Sequence, residues 1–220
     1  LINTDVLVED VHFNTKTATS EDIGWKAVAS NLADLASSGA DKKIQITVGL
    51  VVPPNTEWKW VQGLYEGIYQ ALNQFNGKLI GGDCSKGNQK MISITAIGKL
   101  GPLRLHRSHA QPGDCLVTSG PHGLSRLGLS LLLSENLDDL EKIPESLQSI
   151  AINKHRRPNP PIQSLRELQK CKPPNLPWRA AGTDSSDGLL EAINGLCRSS
   201  DCQAVLNKEH LPRHPHWPSG

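Results

Sequence analysis

The sequence has no long apolar run, since no stretch approaches the ~20 residues that a membrane-spanning helix needs. Charge of one sign is also lacking, because 23 Lys and Arg face 22 Asp and Glu, which leaves a formal net charge of +1. Binding to a nucleic-acid backbone requires an excess of basic residues. These absences predict that neither a membrane nor a nucleic acid is a partner, and we expect a cytoplasmic protein.

Paired cysteines are missing as well. The five cysteines are scattered, odd in number and without a CxxC pair, which is typical of reduced, structural thiols. The motifs of the two common kinase designs are also absent, because the sequence has no GxxxxGK[ST] loop, no HRD and no DFG. A kinase of either design is therefore excluded.

The chain is long enough for a packed core. Its 220 residues fit one large domain or two modest ones, and a chain of this size buries roughly 70% of its unfolded surface. Leu1 to Leu7 already reads as the interior of a strand, and the Pro- and His-rich residues 211–220 end without a terminating element. We expect segments of the protein upstream and downstream of this chain.

Two helices are predicted from apolar residues at helical spacing. Thr19 and Asp22 have the pattern of a capping box, and the helix that follows stops at Gly39. Thr56 is the predicted cap of the second helix, which closes at Asn76. Further helices are predicted at 120–133, 162–170 and 188–198.

Alternating apolar and polar residues from Ile44 to Val52 predict a half-buried strand. Other strands are predicted at 1–11, 78–80, 91–99, 114–119 and 178–183, with a loop at 81–89 and a solvated acidic connection at 134–145. A loop at 101–113, rich in His, Arg and Pro, is the predicted boundary between two α/β halves.

Four segments place aspartate beside small or polar residues at the end of an element: 3–5, 32–35, 81–83 and 184–188. Grouped carboxylates repel one another unless a cation lies between them, and several hard oxygen ligands favour Mg²⁺ over zinc or copper. Each segment alone also fits a turn or a helix cap. Only the set predicts a magnesium site, and magnesium in turn implies phosphate.

Asp34 is the most informative member, because it lies inside a predicted helix. Its stripe, formed with Ala27, Asn31 and Ser38, has small side chains where a solvated face normally carries Lys and Glu. The stripe indicates a helix that faces a polar pocket. A short exposed face is the alternative.

Three further features each allow two interpretations. The loop Gly120–Gly123 precedes a helix and could hold an anion or form a plain turn. Arg107 could pair with a phosphate or lie exposed in solvent. His12, between Val11 and Phe13, is by itself more typical of a core histidine than of a ligand contact.

Together these segments resemble the thiamine-monophosphate kinase family. The segments are NTDVLVEDVHF at 3–13, NLADLASSGA at 31–40, LIGGD at 79–83, RSHAQPGD at 107–114 and DSSDGL at 184–189. The resemblance covers nearly the whole chain. The segment 3–13 separates this family from its relatives, aminoimidazole ribonucleotide synthetase and selenophosphate synthetase, which share the fold.

The resemblance implies an α/β (α+β) fold of two domains. Residues 1–110 would form an N-terminal domain that binds ATP and Mg²⁺ and dimerises, and 111–220 a truncated C-terminal α/β domain. It implies a homodimer whose N-terminal halves pair into a β-barrel. It also implies transfer of the γ-phosphoryl group of ATP, with several Mg²⁺ ions, to thiamine phosphate.

The resemblance also implies site residues. Its magnesium ligands would be Asn3, Thr4, Asp5, Asp34, Asp83, Asp184 and Asp187. Its nucleotide contacts would be Tyr65, Gly82, Asp83, Arg107 and Ser186, and His12 would contact the thiamine substrate. No residue is assigned as general acid or base, because the acceptor phosphate is already mostly ionised near neutral pH.

The chain also departs from the family's pattern. The family's Gly-Asp-Asp segment would lie upstream of Leu1, Asn3 stands where a hydroxyl residue is usual, and Leu124 stands where an acidic residue is usual. Two alternatives to the kinase therefore stay open: an inactive fragment that only binds nucleotide or dimerises, and another synthetase of the same superfamily.

Overall fold

The structure is a computed structural model that describes residues 1–135, 143–172, 174–175 and 177–215. Most of the predicted acidic connection and the last five residues of the chain lie outside the described residues. No helix in the described part is long and apolar enough to cross a membrane.

A four-stranded sheet lies at the centre of the first half of the chain. Its strands are β1 (Ile2–Val8), β2 (Ala40–Val52), β3 (Lys78–Lys86) and β4 (Met91–Leu100), in the spatial order β1-β4-β2-β3. β4 is antiparallel to β1 and to β2, whereas β3 is parallel to β2. β1 and β3 are therefore the two edges of the sheet.

Two helices, α1 (Ser20–Ser37) and α2 (Trp58–Phe75), cover one face of the sheet. The predicted alternation in β2 is confirmed, since Ile46 and Val48 are fully buried against these helices. The helices cross closely at Gly67, where an added Cβ would lie 1.9 Å from the carbonyl oxygen of Glu21. The opposite face of the sheet carries half-buried and exposed side chains.

The helix ends follow the capping chemistry only in part. Thr19 and Asp22 form the predicted capping box, each side chain accepting a 3.2 Å hydrogen bond from the other's backbone N–H. Asn76 closes α2 in the left-handed conformation, with φ 55°. The predicted cap at Thr56 is wrong: the cap is Glu57, and the Thr56 N–H donates to the carbonyl of Pro53 in a preceding turn.

The predicted loop at 81–89 is wrong for most of its length. β3 continues to Lys86 because its parallel pairing with β2 resumes after a bulge between Ile46 and Thr47. β1 ends earlier than predicted, at Val8, where residues 9–12 turn and donate hydrogen bonds from Val11 and His12 back to the Val8 carbonyl.

The second half, as far as the structure describes it, consists of helices joined by irregular segments. Its helices are α3 (Leu124–Leu132), α4 (Glu145–Arg156), α5 (Ile162–Lys170) and α6 (Leu189–Ser200). α3 and α4 pack through a small separate cluster of Leu124, Leu127, Leu147 and Ala151. α4 was not predicted from the sequence, although Leu147 and Ala151 follow helical spacing.

The predicted strands at 114–119 and 178–183 are wrong, since both segments are irregular. A strand needs a neighbour that completes its hydrogen bonds, and the described sheet pairs only β1 to β4. An ion pair joins the two segments instead, with Arg179 donating to both carboxylate oxygens of Asp114 at 2.5 and 2.6 Å.

Ion pairs and shared core residues attach the second half to the first. Arg157 donates from Nε to Asp22 Oδ1 at 2.7 Å and lies 5.6 Å from the ring of Trp25. Ile162 and Leu165 of α5 belong to the main core beneath the sheet. The described architecture confirms the predicted mixed α/β class.

Candidate functional site

One polar cluster lies between β1 and α1. Asn3 and Asp5 pair across the ladder with Ala96 and Ile94, two fully buried residues, so their side chains point to the helix-covered face. Asp34 reaches the cluster from α1 and accepts a 2.8 Å hydrogen bond from Asn3 Nδ2. The α1 stripe therefore faces polar side chains of β1 and not open solvent.

The second half supplies the other wall of this cluster. Asp184 Oδ2 accepts hydrogen bonds from the Ser186 hydroxyl at 2.5 Å and from the Ser186 N–H at 3.3 Å. Arg107 lies 3.5 Å from Asp184 Oδ1 and donates from Nε to the Thr183 hydroxyl at 3.0 Å. A cation and a hydroxyl therefore border the carboxylates, an arrangement suited to a bound phosphate.

The negative charges of Asp5 and Asp184 both act on Asp34. Burial and, after it, the negative charges of Asp184 and Asp5 together raise the pKa of Asp34 to about 6, against the hydrogen bond from Asn3. Burial also raises the pKa of Asp184, but the hydrogen bonds from Ser186 and the charge of Arg107 outweigh it and lower the pKa overall. Three carboxylates thus share one electrostatic environment.

The oxygen atoms of Asn3 and the neighbouring carboxylates are of the type that binds a hard divalent cation. Asn3 Oδ1 is buried without a hydrogen-bond partner, next to carboxylates whose charges repel. Oxygen atoms of this kind are the ligands that Mg²⁺ prefers. Within the described residues, however, no three Asp, Glu, His or Cys side chains are close enough to hold one ion as they stand.

Asp83 does not join this cluster within the chain. It lies on β3, at the other edge of the sheet, and its register partner Gly49 belongs to the uncovered face. Ser85 donates a 3.0 Å hydrogen bond to its carboxylate. Its predicted role as a metal and nucleotide ligand stays a prediction, on a surface separate from the Asp34 cluster.

Gly82 precedes Asp83 in β3, and Tyr65 of α2 lies near Cys84, the residue after Asp83. A Cβ on Gly82 would lie 2.2 Å from the carbonyl oxygen of Val48, so only glycine fits this close approach of β3 to β2. Burial raises the pKa of Tyr65, with a further contribution from Cys84 beside Asp83. The predicted nucleotide contacts therefore divide into two groups, at β3 and at Arg107 with Ser186.

Three other predicted ligands are exposed. Thr4 is on the uncovered face, 2.8 Å from the hydroxyl of Thr95, and Asp187 is exposed in the turn before α6. His12 is exposed, so its interpretation as a core histidine is wrong; its Nδ1 accepts a 3.0 Å hydrogen bond from the Val8 N–H. Its predicted contact with substrate stays a prediction.

Ser200 was not predicted as a site residue, and the loop Gly120–Gly123 had been given two interpretations. Ser200 binds the Arg107 loop, donating to the Arg107 carbonyl at 2.7 Å and accepting from the Ala110 N–H at 3.1 Å. Only the fold brings the end of α6 to this loop. The Gly120–Gly123 loop places His122 Nε2 3.0 Å from the Ser185 hydroxyl, beside the Asp184 turn.

Similar proteins are known from both sequence and structure. The family described as "AIR synthase related protein, N-terminal domain" matches residues 1–100. The thiamine-monophosphate kinase of Prochlorococcus marinus is 61% identical over the whole of this chain and 66% of its own length.

Two solved structures are also similar. Thiamine-monophosphate kinase from Stenotrophomonas maltophilia has a TM-score of 0.81 at 29% identity, over 98% of this chain and 65% of its own. A structure described as "AaThiL complexed with AMPPCP and TMP" has a TM-score of 0.78 at 32% identity, over 91% of this chain and 60% of its own. This chain spans slightly less than two thirds of the length of these relatives. From its motifs, its fold and these similarities, the chain belongs to the thiamine-monophosphate kinase family, among the proteins related to AIR synthase.

Proposed function

We propose that the protein transfers the γ-phosphoryl group of ATP to thiamine monophosphate and forms thiamine diphosphate. The observation that carries this proposal is the cluster of Asp5, Asp34 and Asp184 beside Arg107. A similar protein has been solved with AMPPCP, an ATP analogue, and TMP. Neighbouring carboxylates with an adjacent guanidinium suit the positioning of two charged phosphates.

Mg²⁺ ions complete the proposed site. Asn3, Asp5, Asp34 and Asp184 would hold them in the cluster, with Thr4, Asp83 and Asp187 as the further predicted ligands. When bound, the ions neutralise charge on the phosphates. Repulsion from Asp184 and Asp5, which adds to the effect of burial on the Asp34 pKa, supports this assignment, because a cation would relieve it.

The side chains themselves bind and orient. Arg107 would hold a phosphate of ATP, with Ser186 donating to a second oxygen, and Gly82, Asp83 and Tyr65 would contact the rest of the nucleotide. The acceptor is an ionised phosphate, so a strong general base is unnecessary. Direct in-line transfer then depends mainly on positioning.

His12 would border the acceptor pocket. Because Nδ1 accepts from the Val8 N–H, the proton of the neutral ring is on Nε2, which is left to donate. A neutral imidazole can orient the substrate without repelling a cationic thiazolium ring, whereas a lysine would repel it.

The uncovered face of the sheet supports the proposed homodimer. Ile2 is 66% exposed on this face, and Thr4 and Asp83 also lie there. A second copy packed on this face would place Asp83 and Thr4 at the interface. Light scattering tests this proposal: we expect about twice the chain mass of 23.9 kDa, whereas a monomer would contradict it. A cytoplasmic location suits an enzyme that uses ATP.

A direct assay tests the activity. Purified protein with ATP, Mg²⁺ and thiamine monophosphate is expected to form thiamine diphosphate and ADP in equal amounts. Asp34→Asn should lower the rate about 100-fold, whereas Asp201→Asn, at an exposed carboxylate outside the cluster, should leave it unchanged. Nucleotide binding without product would favour the inactive fragment, and ADP release with another acceptor would favour a different synthetase.

A further inference from the structure

Asn31 is a buried amide in α1 that has no role in the proposed mechanism. Its side chain is 1% exposed, and its Nδ2 donates a 2.9 Å hydrogen bond to the Ala27 carbonyl, one turn earlier in the same helix. A carbonyl oxygen only accepts hydrogen bonds. The amide nitrogen of Asn31 must therefore point along its own helix, and Oδ1 must point the other way, toward β1.

The orientation of Asn31 determines that of Asn3. Asn31 Oδ1 accepts a 3.2 Å hydrogen bond from Asn3 Nδ2, and the second hydrogen of the same nitrogen is donated to Asp34 Oδ2 at 2.8 Å. Both donors of the Asn3 amide are then used. Its Oδ1 is left buried without a partner, beside the carboxylates of the cluster.

We propose that Asn31 is a positioning residue that holds the Asn3 side chain with its oxygen, and not its NH2 group, toward a divalent cation in the Asp34 cluster. The inference rests on the proposed magnesium site. A chain of three groups transmits the orientation: the Ala27 carbonyl, the Asn31 amide and the Asn3 amide.

The alternative orientation of Asn3 shows why this matters. A flipped amide would bring its oxygen against Asn31 Oδ1 and Asp34, three acceptors without a proton between them. It would also aim two N–H donors at the cation. A hydroxyl in place of the amide has no such requirement, because it rotates freely and always has a lone pair to offer.

The test measures Mn²⁺ affinity without nucleotide, by electron paramagnetic resonance of free Mn²⁺. Asn31→Leu, which is apolar and similar in size, is expected to weaken binding about 10-fold in the native background, as loss of an orienting partner does elsewhere. In an Asn3→Ser background the same substitution should cost less than about twofold. Asn73→Leu, the same change on the exposed face of α2, serves as the matched control and should have no effect.

Several outcomes would overturn the proposal. Equal losses in the two backgrounds would assign Asn31 a merely structural role, and no loss in the native background would assign it none. Failure of the unsubstituted protein to bind Mn²⁺ would remove the site itself.

A second measurement needs no substitution and stays decisive if Asn31→Leu fails to fold. The ¹³Cγ resonance of Asn3 in the unsubstituted protein should shift when Mg²⁺ saturates the site, because its oxygen is a ligand. An unchanged resonance would contradict the proposal. Both measurements are independent of phosphoryl transfer, so cation binding that depends on Asn31 without kinase activity would refute only the proposed function.

Discussion

The two halves of the chain are packed differently. In the first half, one continuous core joins the sheet to α1 and α2, and Leu32, Val48 and Ile68 are fully buried. In the second half, α6 buries only Ile193, and Leu190 of the same helix is 71% exposed. The candidate site draws one wall from each half, so it combines a rigid wall with a more loosely packed one.

This difference assigns different tasks to the two walls. The carboxylates and amides on β1 and α1 are held by a core that does not rearrange easily, which suits a cation site of defined shape. Arg107 lies in a single 3-10 turn, which the hydrogen bonds of Ser200 hold, and Asp184 and Ser186 lie in an irregular segment before α6. Loops of this kind can adjust to a substrate more readily than a packed helix can.

The largest expected effect compares two helical glycines. Gly67→Ala should destabilise the protein by about 3 kcal/mol, because the new Cβ would lie 1.9 Å from the Glu21 carbonyl and force α1 and α2 apart. Gly195→Ala in α6 meets nothing within 4 Å and should stabilise the protein by about 0.5 kcal/mol through helix propensity. Urea unfolding measures both, and effects of the same sign would contradict the contrast between the halves.

The next effect tests the loop wall by itself. Arg107→Ala should weaken ATP binding by roughly 1.5 to 3 kcal/mol, the usual worth of a charged hydrogen bond. Titration calorimetry measures it, with Arg104→Ala as the matched control, since Arg104 is also exposed and lies outside the cluster. An unchanged affinity would make Arg107 a surface residue.

A smaller effect tests the charge on the packed wall. The pKa of Asp34, raised by burial and by Asp184 and Asp5 to about 6, means that the folded protein binds this proton more tightly than the unfolded chain does. The stability from the protonated group is therefore present below about pH 4 and lost as the pH rises through 6.

Asp34→Asn removes the ionisable group and with it the loss of stability that occurs when Asp34 ionises. It should raise the free energy of unfolding at pH 8 by about 1 kcal/mol, a figure already reduced for solvent screening of a half-exposed group. The gain should disappear near pH 4. Denaturant unfolding across this range measures it, and lower stability of the variant at pH 8 would show that ionised Asp34 is not strained in the folded protein.

The smallest effect concerns the turn after β1. His12→Ala should lower kcat/KM for thiamine monophosphate about fivefold, the worth of one neutral hydrogen bond, and leave ATP affinity within about twofold. His210→Ala removes another exposed imidazole and is the control. Equal losses in kcat/KM for thiamine monophosphate and in ATP affinity would instead indicate that the substitution damages the turn. His12 would then have a structural role and not a role in substrate binding.

The elements predicted correctly are those whose signal is local. The capping box at Thr19 and the alternation in β2 depend on residues a few positions apart, and both are confirmed. The prediction of strands at 114–119 and 178–183 was wrong because a strand forms only where a neighbouring strand completes its hydrogen bonds. β3 was cut short for the converse reason, since pairing with β2 extends it through glycines and polar residues that have low strand propensity.

Among the site residues, periodicity alone identified Asp34 as a carboxylate on a polar helix stripe. It could not show that Asn3 donates to both Asn31 and Asp34, because these contacts cross from β1 to α1. It also could not separate Asp83 from the others, because residue spacing does not show that β1 and β3 are opposite edges of one sheet.

The sequence by itself determined the family, the mixed α/β class and the residue types available for chemistry, because motifs, helix caps and apolar periodicity are written in neighbouring residues. Tertiary structure alone decided which carboxylates lie close enough for their charges to interact, which face of the sheet each one occupies, and that the amide oxygen of Asn3 is left without a partner. Those properties depend on atoms far apart in the chain, brought together by burial of the core, and burial is also what makes their charges and hydrogen bonds strong.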